Sequence, residues 1–374
     1  MAGAVRAAAR GKSSTPPTVR DVAEAAGVAV GSVSRVLNGH PDVNSDMRSR
    51  ILEAARRLNY SPLRRKRPSV ATSRAAAGTG VRLGLICFGM EDTLVQLPVV
   101  SAAMHGIESA VAAEGGSLMF ANIPLGDRVP VFLTENQVGG VIVKGPNVGL
   151  LPSESDNALL RSIYRFPHVW LLGQLPNAHG DHCNFDQEVA GRLAAEHLRD
   201  KGHIHVAFLN PKPGHAQFES VKRAFCAATQ GFGHRADVLE PPLGPEQRWP
   251  LPAVSSQEKV EVLVRKWAAE RPARRATAIA VGADTTAVQM YAAFAKLGVR
   301  VGKDVGVISC NDERSLIMGL HPALTTIDVR ADSVGRYAVA RLLWRVAHPG
   351  DEAVARILIE PVLTVRASVP DLAS

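Results

Sequence analysis

Cysteine is scarce, four in 374 residues. Cys87, Cys183, Cys226 and Cys310 stand far apart with no Cys-x-x-Cys pair. That usage excludes a disulfide framework and a zinc knuckle, and it suits reduced, buried thiols in a cytoplasmic protein. Long apolar runs are also missing, and none approaches the roughly 20 residues a membrane span needs. Catalytic signatures are absent as well. No His-Glu-x-x-His, no Walker loop and no Gly-x-Ser-x-Gly occurs, and Gly78-Thr-Gly80 precedes a strand rather than following one. His179, His182 and Cys183 with His203 and His205 are spaced too loosely for a metal cluster and fit a surface turn better. An enzyme, a metal and a cofactor are therefore not expected. Residues 1–17 are rich in Ala, Arg, Ser and Pro without an apolar stretch, so they fit a disordered basic arm rather than a secretory signal.

What the chain does have is 46% apolar residues and a mean hydropathy of +0.02, a globular composition long enough for two or three compact units. Its charge is unevenly placed. Residues 1–80 hold 14 Lys and Arg against 5 Asp and Glu, whereas the remainder holds 29 against 30. All of the excess positive charge lies in the first fifth of the chain, as phosphate neutralisation requires.

That basic region contains Thr18-Val-Arg-Asp-Val-Ala-Glu-Ala-Ala-Gly-Val-Ala-Val-Gly-Ser-Val-Ser-Arg-Val-Leu-Asn38. Thr18 and Asp21 have the spacing of a helix N-cap with an acidic partner. Val22 with Ala25 or Ala26 makes an apolar face, and Gly27 stands where the chain must turn. Val33, Val36 and Leu37 give a second short helix its buried stripe. Val30, Gly31, Ser34, Arg35 and Asn38 remain on the open side, as a helix lying in a DNA major groove requires. A third helix, 44–58, is capped by Asn44 and carries Ile51, Leu52, Ala55 and Leu58 on one face. A basic linker follows at 63–80.

From Val81 short apolar strands alternate with helices. Strands are predicted at 83–87, 117–121, 140–143, 168–172, 205–209, 278–281 and 306–309. Helices are predicted at 99–113, 187–200, 216–230, 256–270 and 285–297. This alternation implies parallel sheets covered on both faces, and its length suggests two of them, with a ligand cleft at the strands' carboxyl ends.

The run Thr18–Asn38, the helix ending at Tyr60, His197-Leu-Arg-Asp-Lys-Gly-His203, Gly298-Val-Arg-Val-Gly-Lys-Asp-Val305 and Leu324-Thr-Thr-Ile327 together resemble the LacI-type (LacI/GalR) bacterial transcriptional regulators. The resemblance spans residue 18 to about residue 370. It implies a multi-domain chain: a helix-turn-helix headpiece (18–62), a hinge (63–80), and a two-lobed α/β core similar to periplasmic binding proteins (81–374). The lobes are expected at 81–201 with 316–342, and at 202–315 with 343–374. It further implies a cytoplasmic homodimer binding operator DNA under the control of a sugar-like effector. A transport solute-binding protein would leave the basic headpiece unexplained. A constitutive DNA binder with a vestigial pocket is the other alternative.

Residue by residue, Val30 and Gly31 match the positions that choose operator bases, and Arg35 matches a base-reading position. Thr18, Ser32, Ser34 and Asn38 match backbone or base-edge contacts, while Ala29 stands where the family usually has serine. The hinge departs from the family pattern. Pro68 forbids a helix starting near Pro62, which leaves either a shifted helix over 68–77 with Val70 as minor-groove wedge, or a basic linker. Arg64, Arg65, Lys66 and Arg67 would line phosphates in the first case. In the core, Phe88, Glu91, Asp186, Gln217, Phe218, Asp284, Asn311 and Asp312 are the effector-binding expectation. Val221 replaces an arginine common among sugar-responsive members.

Overall fold

Thr18 starts the first helix by local chemistry. Its hydroxyl accepts the Asp21 N–H while the Asp21 carboxylate accepts the Thr18 N–H at 2.6 Å, a reciprocal capping box. Helix α1 (Val19–Ala26) ends at Gly27, whose φ of 62° lies in the left-handed region, and the Val28 N–H returns to the Ala23 carbonyl. Helix α2 (Val30–Leu37) follows at once, and α3 (Ser45–Arg57) begins at the Asn44 cap. Val22, Ala23, Ala26, Val33, Val36, Ile51, Ala54 and Ala55 form one core. Arg50 ties α3 to the turn by donating to the Ala26 carbonyl at 2.7 Å. Leu52, expected on the buried face, is exposed, because Ala54 takes the inward position beside Ile51 and Ala55.

The computed structural model describes residues 18–37, 44–58, 60, 80–89, 97–173, 175–242 and 257–373. It resolves into two units, Met1–Ala71 and Thr72–Ser374. Asn38, Arg64–Arg67, Val70 and Glu91, together with both hinge hypotheses, lie outside the described residues.

In the second unit the chain runs β1 (Arg82–Phe88), α4 (Pro98–Ala113), β2 (Ser117–Ile123), α5 (Val131–Thr134), β3 (Gly140–Lys144), α6 (Ala158–Ile163), β4 (His168–Leu171) and β5 (Asp181–Phe185). It continues through α7 (Gln187–Asp200), β6 (His205–Leu209), α8 (Ala216–Gly231), β7 (Arg235–Leu239), α9 (Gln257–Ala269), β8 (Ala278–Val281), α10 (Asp284–Lys296), β9 (Gly306–Cys310), α11 (Arg314–Ile317) and β10 (Thr325–Asp328). Last come α12 (Ala331–Ala347), β11 (Arg356–Ile359) and β12 (Val362–Thr364). Two six-stranded sheets result, in the orders β11-β5-β4-β3-β1-β2 and β12-β10-β9-β8-β6-β7. All pairings are parallel except the antiparallel β10–β12 edge. The expected two-sheet parallel core is therefore what the chain builds.

Two details are corrected. His182 and Cys183, read as part of a surface turn, lie in a fully buried strand, 181–185. Its polar residues hid it: Asp181 is buried because Arg341 and Arg345 of α12 hold it at 2.8 and 2.7 Å and Ala355 donates its N–H. The expected lobe boundaries also shift. Strand β10 pairs within the second sheet and β11 within the first, while α7 packs on α8 and α12 on α4. The first lobe is thus 82–185 with 331–359, the second 187–328 with 362–370. A single residue run cannot show this, since the chain crosses between sheets three times and each crossing is set by long-range pairing.

Candidate functional site

Helix α2 of the headpiece keeps one side exposed. Val30 is 45% exposed, Gly31, Ser34 and Arg35 are exposed, and Ser32 is half-buried, while Val33 and Val36 point into the core. Thr18 is exposed at the start of α1. Carbonyl Ala29 receives the Ser32 and Val33 N–H groups, so Ala29 sits at the head of α2 with no hydroxyl to cap it. The arrangement is a short helix held by a packed bundle with its first turn and Arg35 outward, able to place a guanidinium against base edges.

The effector expectation divides. Gln217, at the start of α8, joins the two lobes: its Nε2 donates to the Leu172 carbonyl at 3.2 Å and to Asn184 Oδ1 at 3.3 Å, and its Oε1 accepts from Asn147 at 3.4 Å. The Ala216 N–H also reaches the Asn147 carbonyl at 2.8 Å. Phe218 lies beside it, its ring centroid 4.5 Å from that of His215 and tilted to it, and against Gly282 just after β8. These residues stand at the carboxyl ends of strands from both sheets, where open α/β sheets hold ligands.

The other expected residues make contacts within the fold. Phe88 is fully buried beside Trp170 in the first lobe's core, with its ring tip towards Gly145. Asp186 caps α7 by accepting the Glu188 and Val189 N–H groups. Asp284 is fully buried and satisfied by the hydroxyls of Ser309 and Thr326 and the Glu313 N–H. Asp312 pairs with Arg366 at 2.6 Å, and Asn311 and Asp312 take φ of 113° and 52° in the tight turn after β9.

Two buried ionisable residues, Glu313 and Lys144, are not among the expected ones. Glu313 is 4% exposed, and its Oε1 accepts the Val99 N–H of α4 across the lobes at 3.2 Å. Burial raises its pKa to about 7, with Asp284 adding repulsion, and burial raises Asp284 to about 6. Hydrogen bonds from Ser309, Thr326 and the Glu313 N–H oppose part of the effect of burial on Asp284, whereas Glu313 has fewer such donors. Lys144 closes β3 and is 3% exposed. Burial lowers its pKa to about 8. Its signal was present: a lone cation ending the apolar run Gly140–Val143 at a strand's carboxyl end.

Residues 18–62 match the family described as bacterial regulatory proteins, lacI family, and residues 195–369 match the periplasmic binding protein-like domain. The HTH-type transcriptional repressor PurR of Haemophilus influenzae is 27% identical over 367 residues, covering 95% of this chain and 99% of its own. PurR of Vibrio cholerae is 27% identical over 362 residues, covering 95% and 98%. Among solved structures, the transcriptional regulator CelR–cellobiose complex has a TM-score of 0.61 at 20% identity, over 94% of this chain and 99% of its own. The lac repressor dimer bound to operator and the anti-inducer ONPF has a TM-score of 0.60 at 22% identity, over 95% and 100%. Both structures share the fold of this chain.

Proposed function

Because this chain belongs to the LacI family of bacterial regulatory proteins and is a DNA-binding transcriptional regulator, we propose that it works as a homodimeric repressor in the cytoplasm. Each headpiece would enter one operator half-site with α2 in the major groove. A two-fold pair is needed, since one eight-residue helix reads too few base pairs to single out a site. A small molecule held between the core lobes would change operator affinity by binding one lobe geometry better than the other. Among the described residues no helix is long and apolar enough to cross a membrane, which is compatible with that location.

The observation that carries this reading is the outward set on α2. Arg35 is the long donor among them and the side chain able to grip guanine O6 and N7 together, worth roughly 1–3 kcal/mol of discrimination. Gly31 offers no side chain, so Arg35 and Val30 carry more of the choice. Selection of bound duplexes from a randomised pool tests it. The full-length protein should enrich a two-fold-symmetric sequence, and Arg35→Ala should lose preference at one position per half-site while keeping non-specific affinity. Enrichment of no sequence, or an Arg35→Ala profile identical to the parent, would refute it.

A further inference from the structure

Around the Gln217 contact between the lobes stand three basic side chains, Lys144, Lys212 and His215. Lys144 contributes an ammonium with three donors, and one of them reaches the Gly145 carbonyl at 2.5 Å. The ammonium lies 3.6 Å from where a Cβ on Gly173 would stand, so that backbone is bare where the amine arrives. Asn147 Oδ1 reaches the same spot, buried and with no hydrogen-bond partner. Across the cleft stand Lys212 and His215, close enough that Lys212 and Lys144 both bear electrostatically on the His215 ring. His215 Nδ1 accepts the Phe218 N–H, which leaves Nε2 to carry the proton as a donor. The groups acting on Lys144 and Lys212, among the described residues, are the Cys87 thiol and Lys259, and no carboxylate is one of them.

A buried ammonium without a counter-charge is expensive, and so is a buried amide oxygen without a donor. One occupant relieves both. Resting on the reading of the cleft as the effector site, we propose that the ligand is a small hydroxylated anion. Its acid group, carboxylate or phosphate, pairs with Lys144 and is flanked by Lys212 and His215. One of its hydroxyls donates to Asn147 Oδ1. Gln217 of the second lobe, which bonds Asn147, Leu172 and Asn184 of the first, then reports occupancy to the lobe contact.

Calorimetric titration of the full-length protein at pH 7 and constant ionic strength tests this with D-gluconate, D-glucose 6-phosphate and D-glucose. The three probes share hydroxyls and differ in acid group. At least one of the two anions should bind ten-fold or more tightly than glucose, and which one does so separates carboxylate from phosphate. Lys144→Met, which keeps the volume and removes the charge, should cut that affinity at least ten-fold. Should Lys144→Met fail to fold, Lys212→Met at its half-buried position should weaken the anion at least three-fold. Glucose binding as well as the anions, or anion affinity untouched by the substitution, overturns the anionic class and leaves the cleft as an effector site. No heat from any probe overturns the anionic class too, while operator selection, which needs no ligand, decides the DNA-binding reading separately.

Discussion

Glu313 shows how one side chain can bind two lobes and take a pH dependence from doing so. Its carboxyl meets the Val99 N–H from α4, with Asn311 and Asp284 as its other polar neighbours, and Asp284 in turn faces Ser309, Thr326 and Asp312. Glutamic acid outside a protein titrates near 4.3, whereas burial here raises Glu313 to about 7. Between those values the folded chain keeps a proton that the unfolded chain releases. Stability therefore falls as pH rises through that window, by up to about 1.4 kcal/mol per pH unit for one proton. Glu313→Gln keeps an acceptor for Val99 and has nothing to titrate. Urea denaturation from pH 5 to 7.5 should give a difference curve in which the variant gains on the parent as pH rises. His215 is lowered to about 3, by burial and then by Lys212 and Lys144, and acts in the opposite direction below pH 6.5. It is common to both proteins and cancels in the difference. A flat difference curve would mean that Glu313 is ionised throughout.

At the scale of elements, the first lobe depends on two helices approaching closely enough to exclude a methyl group. A Cβ on Gly106 of α4 would stand 1.9 Å from the Asp332 carbonyl oxygen, and one on Gly335 of α12 would stand 2.1 Å from the Ala103 oxygen. Both obstacles are backbone, so neither can rotate away. Gly335→Ala should cost about 1–3 kcal/mol through overpacking, read as a lower urea midpoint with unchanged slope. Gly231→Ala at the end of α8, where nothing lies within 4 Å, should be neutral or mildly stabilising. The same contrast explains what the sequence disclosed. His205–Leu209 and Ala278–Val281 fall where the apolar runs predict, because each is a short apolar segment bounded by turn residues. Strand β5 did not announce itself, since its burial depends on arginines about 160 positions away. Helix α12 was missed for another reason: its buried residues Ala331, Val334, Gly335, Ala338, Val339 and Leu342 do fall on one face, but exposed Tyr337, Ala340 and Trp344 put apolar residues on the opposite face too and blur the contrast. Near the strand ends, Gln217 and Phe218 stand where the two lobes meet. Asp284 and Asp312 sit at equivalent ends but spend their charge on buried hydroxyls and Arg366, a difference that only the packing decides.

For the whole molecule the separation of charge matters more than its sum. A net of +8 would bind DNA weakly if spread evenly, but the first 80 residues hold 14 basic side chains against 5 acidic ones and the remainder is nearly balanced. The DNA-facing part can thus neutralise phosphates while the ligand-binding part stays indifferent to them. Arg64, Arg65, Lys66 and Arg67 concentrate four of those charges in adjacent positions. If each meets a phosphate, each releases about 0.9 counterion, and replacing all four with serine should lower the slope of log affinity against log salt by about 3–4. Anisotropy titrations on the selected operator and on an unrelated duplex, from 50 to 200 mM salt, measure both slopes. The loss should be similar on the two duplexes, because phosphate contacts carry no sequence information. Arg35→Ala should behave differently, with a slope changed by at most about one and affinity lost mainly on the operator. Equal slopes for the parent and the four-serine chain would show that these charges stay in solvent, and would leave recognition to the headpiece helices alone.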